Sequence, residues 1–124
     1  MSLSIHVDHD KPGVCKIQLK GRLDTNTSPS LESTQNELLS GEYSLLIYDM
    51  TNLEYISSAG LRVIFKGTKQ IRDNSGRAGV MNLQPQIRKV FDIVKAMPDV
   101  PIFENDAEMD EYLDAMQRQV LNGD

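Results

Sequence analysis

The stretch Asp49-Met50-Thr51-Asn52-Leu53-Glu54-Tyr55-Ile56-Ser57-Ser58-Ala59-Gly60-Leu61-Arg62 joins two segments of different hydrophobic period, and that change decides the fold. On its N-terminal side Leu45-Leu46-Ile47-Tyr48 is a continuous apolar run, the pattern of a strand covered on both faces and central in an α/β sheet. On its C-terminal side Leu61, Ile64, Phe65, Thr68 and Ile71 recur at three- and four-residue steps. They share one side of a helix that ends at Ser75-Gly76. The stretch therefore reads as a buried strand, a short connection, and a helix opening on two serines.

Outward from this unit the pattern continues in both directions. Toward the N-terminus, Leu3, Ile5 and Val7 alternate with Ser4, His6 and Asp8, and Cys15, Ile17 and Leu19 alternate with Lys16, Gln18 and Lys20. Asp10 to Gly13 supply a turn between them, which predicts an antiparallel hairpin with one wet face. Gly21 to Thr27 reads as a loop, and Ser28-Pro29 as a cap and first-turn proline for a helix that carries Leu31, Leu38 and Leu39 inward and closes at Gly41. Beyond the central helix, Ala78 to Leu83 reads as a strand. Pro85 opens a helix with Ile87, Val90, Phe91 and Val94 inward, which Met97-Pro98 ends. Val100 to Phe103 is an edge strand because Pro101 cannot donate to a ladder. Asn105 or Asp106 caps a last helix with Met109, Tyr112, Leu113, Met116 and Val120 inward. The expected order is β-β-α-β-α-β-α-β-α in one domain, residues 1–124: an α/β fold with a mixed sheet of about four to five strands packed against about four helices.

Two motifs resemble those of the STAS domain family, the anti-sigma factor antagonists. One is Ser58-Ala59-Gly60-Leu61 after a strand, and the other is Gly21-Arg22-Leu23-Asp24-Thr25-Asn26-Thr27, similar to the family's Gly-x-Leu-Asp loop after the second strand. Both stand in the family's order. The resemblance implies a cytoplasmic phospho-switch protein. Unphosphorylated, it binds an anti-sigma factor that is also a serine kinase, and phosphorylation of Ser58 releases it; a serine phosphatase resets the site. It also implies a partner surface of Asp24, Thr25, Asn26, Thr27, Ser57, Ser58, Ala59 and Gly60, with Asp24 beside the acceptor; Arg62 and Lys66 join it as a basic ridge, read from helical spacing, that would meet an acidic patch on the partner. Many members have aspartate where this chain has Ser57 and glycine where it has Arg62. An alternative within the family is a STAS scaffold or transport-system subunit that is never phosphorylated.

Residue chemistry narrows the remaining classes. The net charge of -5, from 18 acidic and 13 basic residues, repels nucleic acid and anionic membrane, so neither is expected as a direct partner. No apolar run is long enough to span a bilayer. The single cysteine, Cys15, excludes an internal disulfide, and His6 with His9 gives no recognisable metal spacing, so no cofactor or metal is expected. A small serine hydrolase is the remote alternative, since Ser58-Ala59-Gly60 matches half of a Gly-x-Ser-x-Gly elbow. Ile56 replaces its first glycine and no histidine follows Ser58, so no catalytic residue is assigned. On the polar side of the signature helix, Arg62, Lys66 and Lys69 share a face as a basic ridge.

Overall fold

Alternation along the first segments produces the expected hairpin: β1 (Leu3–Asp8) pairs antiparallel with β2 (Val14–Leu23), from Leu3 opposite Gly21 to Asp8 opposite Lys16. The computed structural model describes residues 2–9, 11–41, 43–94, 102–103 and 107. β2 runs three residues further than its alternation suggests, through Gly21, whose φ of 107° is open to glycine alone and whose Cα lies against the Ser2 carbonyl. After it come α1 (Ser28–Leu38), β3 (Leu45–Ile56), α2 (Ser58–Asp73), β4 (Arg77–Met81), α3 (Pro85–Val94) and the two-residue β5 (Ile102–Phe103).

The sheet order is β1-β2-β3-β4-β5, with every pair after the hairpin parallel. Each parallel step is made through one helix. Right-handed crossovers that all advance in one direction put their helices on one face, and the core bears this out. Cys15, Ile17, Leu19, Leu46, Tyr48, Met50, Ala78 and Val80 from the sheet pack with Leu31 of α1, Leu61, Ile64 and Ile71 of α2, and Ile87 and Phe91 of α3. On the opposite face Leu45, Ile47 and Met81 form a second, smaller buried group, so β3 is covered on both sides as its apolar run predicts. The described residues thus give five strands and three helices. The fourth helix expected from Asn105 or Asp106 to Val120 lies outside them except for Ala107, which is helical, as do Pro101, Met97-Pro98 and the side chain of Val94.

The main departure from the sequence reading is the length of β3. Residues 49–56, expected as a connection, continue the strand. Its inward residues are Leu46, Tyr48, Met50, Leu53 and Ile56, so the spacing changes from two to three after Met50. The register against β2 shifts between Gln18 and Lys20 and again between Gly21 and Arg22. Each shift inserts an extra β3 residue, a bulge that sharpens the twist and turns the strand end. A strand bulged twice loses the alternation that would betray it in the sequence.

A polar node sits inside this apolar core. Tyr48, fully buried, donates its hydroxyl to Gln35 Oε1, and Gln35 Nε2 donates at 2.9 Å to the Val63 carbonyl of α2. Burial drives the Tyr48 phenol well above its ordinary pKa, and the Cys15 thiol against the same region is pushed up to about 11, so both stay protonated. Room for the node comes from Gly67, where a Cβ would stand 2.4 Å from the Tyr48 hydroxyl and from the Gln35 amide carbon. We predict that Gly67→Ala lowers the unfolding free energy in urea by about 1 to 3 kcal/mol, despite its better helix propensity. In a Gln35→Ala background the same change should cost less, because the clashing amide is gone and only the Tyr48 hydroxyl must still give way.

Candidate functional site

The two candidate motifs meet at the carboxyl ends of β2 and β3, the edge where open parallel sheets carry their ligands. Leu23 faces Ile56 in the ladder, and the Ser57 N–H donates to the Leu23 carbonyl at 2.9 Å. Leu23 itself is fully buried beneath the first turn of α2. Gly60 makes this approach possible: a Cβ there would lie 2.6 Å from Leu23 Cγ and 3.0 Å from its carbonyl oxygen. The glycine of one motif and the leucine of the other are thus two sides of one contact.

The structure separates the two serines. Ser57, in extended conformation, is the N-cap of α2, and its Oγ accepts from the Gly60 N–H at 3.2 Å while its carbonyl accepts from Leu61 at 2.9 Å. That cap is worth about 1 kcal/mol. Ser58 is the first helical residue and exposed, and its hydroxyl has no hydrogen-bond partner among the described residues. The cap and the free hydroxyl belong to two different residues.

Beside them the loop expected as Gly21 to Thr27 is tight. Asp24 Oδ1 accepts the N–H groups of Asn26 and Thr27, both at 3.0 Å. The Thr27 hydroxyl accepts from the Asp24 N–H and donates to the Arg22 carbonyl, each at 2.8 Å. With that hydroxyl committed, Thr27 stands at the N-cap of α1 without capping it, and Ser28, expected as the cap, is buried inside the first turn. The Ser28 N–H instead donates to the Asp24 carbonyl at 2.8 Å. Thr25 and Asn26 are exposed at the tip. Desolvation works to raise the Asp24 pKa, but the bonds from Thr27 and Asn26 and the charge of Arg22 outweigh it and hold the carboxyl below its ordinary value.

Tyr55 was not assigned to the partner surface from sequence, whereas its partner Arg22 belongs to the loop that was. Tyr55 is 40% exposed, the one exposed large hydrophobic residue among those described, and the Arg22 guanidinium lies 4.2 Å from its ring centroid. Arg22 also approaches Asp24 Oδ2 at 4.0 Å. Only the β2–β3 register brings Arg22 opposite Tyr55, and no pattern in the sequence carries that register. The basic ridge is present on α2 with Arg62, Lys66 and Lys69 all exposed. It is partly neutralised: Lys66 pairs with Glu32 of α1 at 2.6 Å and Lys69 with Asp73 at 3.4 Å. Arg62 has no ionic partner among the described residues.

The histidines do not approach this edge. His6 lies in β1 opposite Gln18, and His9 stacks on Tyr43, which precedes β3, whereas Ser58 follows it; the twelve residues of β3 separate them. No cluster of three or more metal-ligating side chains occurs among the described residues, and no helix there is long and apolar enough to cross a membrane.

A model of the STAS domain matches residues 7–109. The chain belongs to the STAS domain family. Its relatives include the anti-sigma F factor antagonist of Paenibacillus polymyxa, 27% identical over 107 residues that make up 86% of this chain and 91% of that one. Among solved structures, an anti-sigma factor antagonist from Mycobacterium paratuberculosis is similar with a TM-score of 0.79 at 22% identity, over 94% of this chain and 95% of that one. The anti-sigma factor antagonist SpoIIAA is similar in its unphosphorylated form, with a TM-score of 0.77 at 18% identity over 90% of this chain and 97% of that one. Its phosphorylated form, from Bacillus, gives 0.72 at 17% over 89% and 99%. These STAS neighbours share the fold described above.

Because the folded pKa of Asp24 is depressed, its charge contributes stability above the unfolded value of about 3.9, and that contribution disappears as pH falls through the lower folded value. Asp24→Asn keeps an Oδ1 acceptor for Asn26 and Thr27 but has no charge to titrate. Urea unfolding followed from about pH 7 to about pH 3 should therefore show a shallower acid loss for Asp24→Asn than for the wild type. Asp24→Ala, which removes the turn's acceptor, should be less stable throughout.

Proposed function

We propose that this STAS domain is a phospho-switched anti-sigma factor antagonist. Unphosphorylated, it binds an anti-sigma factor with serine-kinase activity; phosphorylation of Ser58 dissociates the complex, and a serine phosphatase restores it. The supporting observation is the division of labour between the two serines. Ser57 spends its hydroxyl on the helix cap, while Ser58 presents an exposed hydroxyl without a hydrogen-bond partner among the described residues. A kinase can reach that hydroxyl without opening the fold. The resulting phosphate stands at a helix start, where the first N–H groups and the helix dipole favour negative charge. Family membership and the SpoIIAA neighbour, solved with and without phosphate, support the same reading.

The binding face in this reading comprises Asp24, Thr25, Asn26 and Thr27 from the loop and Ser57, Ser58, Ala59, Gly60 and Arg62 from the start of α2. Lys66 belongs to it less directly, through its pair with Glu32. Phosphate adds about 1.5 to 2 negative charges, and each unit set about 5 Å from a partner carboxylate costs roughly 3 kcal/mol at an effective dielectric near 20. That is about a hundredfold in affinity.

No histidine stands by to activate Ser58, so the kinase must supply both base and nucleotide. With purified kinase, Ser57→Ala should still accept phosphate, at the expense of about 1 kcal/mol of stability from the lost cap. Ser58→Ala should accept none. Fragment mass spectrometry that places the phosphate on Ser57 would reverse the assignment, and equal affinity of wild type and Ser58→Glu for the regulator would count heavily against the switch.

A further inference from the structure

Ser58 is the first residue of α2 and Arg62 lies four residues later, one turn along the same exposed stripe. Side chains so spaced on a helix start about 5 to 6 Å apart. Every Cα–Cβ bond of the helix tilts toward its N-terminus, so a long side chain at Arg62 leans back over the turn that begins with Ser58. An acidic group placed four residues before a basic one is also the more favourable order of the two.

The other charges nearby are already committed. Lys66, one turn further on, is held 2.6 Å from Glu32 of α1, and Lys69 pairs with Asp73. From the adjacent loop, Arg22 lies over Tyr55 and beside Asp24, whose own carboxylate repels a phosphate. Arg62 alone of these cations has no ionic or aromatic partner among the described residues, and it presents a planar fork matched to phosphate oxygens. Resting on the reading that Ser58 is the modified residue, we propose that Arg62 is the built-in counter-charge of phosphorylated Ser58. Before modification Arg62 projects from the helix as a free positive charge. Afterwards it folds back onto the phosphate. Modification then changes the docking face twice, by the negative charge it adds and by the positive charge it withdraws.

The test needs no kinase. Phosphoserine is installed at position 58 during translation, and the phosphorus resonance is titrated across the second ionisation, ordinarily near pH 6. A pair of this kind lowers the second pKa, so the wild type should titrate about 0.15 to 0.4 units below Arg62→Gln, with the difference shrinking in about 1 M salt. Arg62→Lys should fall between them, since an ammonium keeps the charge and loses the fork. Lys66→Gln should leave the value at that of the wild type. Coincident titrations of wild type and Arg62→Gln, or a larger shift from Lys66→Gln, would overturn the assignment. Absence of phosphate on Ser58 in the cell would instead overturn the switch reading and leave this titration standing, so the two failures are distinguishable.

Discussion

The contact between Leu23 and Gly60 is the constraint on which the edge carrying both motifs depends. A strand end and a helix start rarely approach closely enough for a backbone carbonyl and a leucine side chain to fill the space a Cβ would take, and here only glycine allows it. That approach aligns the Leu23 carbonyl with the Ser57 N–H. It also fixes where α2 begins, and so which serine caps and which stands free. The Asp24 turn follows directly from Leu23, which ties its exposed tip to the same point. A substitution at either residue would move both motifs together.

The opposite side of α2 is fixed by a different kind of interaction. Tyr48, Gln35 and the Val63 carbonyl join β3, α1 and α2 through hydrogen bonds buried away from the surface. Leaving one such partner unpaired costs about 1 to 3 kcal/mol. Apolar packing alone would tolerate small rotations of α1 against α2; a satisfied buried amide does not. The helix that carries the site is therefore held at its first turn by a close backbone approach and at its middle by a polar node.

Much of this architecture was legible from residues alone. The alternation from Leu3 to Leu19 specified the hairpin, and the four apolar residues from Leu45 specified a central strand. The two motifs together pointed to the family and, through the resemblance, to a loop lying beside the start of α2. What escaped did so for physical reasons. The far half of β3 was hidden by two bulges that replace a spacing of two with a spacing of three. Gln35 reads as a polar helix residue, and nothing local reveals that Gly67 opens a pocket for it. Thr27 displaced Ser28 at the cap of α1 because its hydroxyl closes the preceding turn, a competition between two local structures that composition cannot decide. The pairing of Arg22 with Tyr55 required the parallel register, which is set over a distance in sequence.

The unequal lengths of β3 and β4 have a consequence for how the molecule behaves among its copies. β4 pairs with β3 only as far as Asp49 and Met81, so the remainder of β3 faces outward on that side as a sheet margin. Such a margin invites another chain to add a strand. Here the Thr51 carbonyl accepts the Gln84 amide at 2.9 Å and the Glu54 carbonyl accepts the Gln86 amide at 3.3 Å, and the bulges bend the backbone away from a flat template. Two acceptors that a neighbouring strand would need are thus already occupied, by side chains too short and too irregularly spaced to extend the ladder themselves.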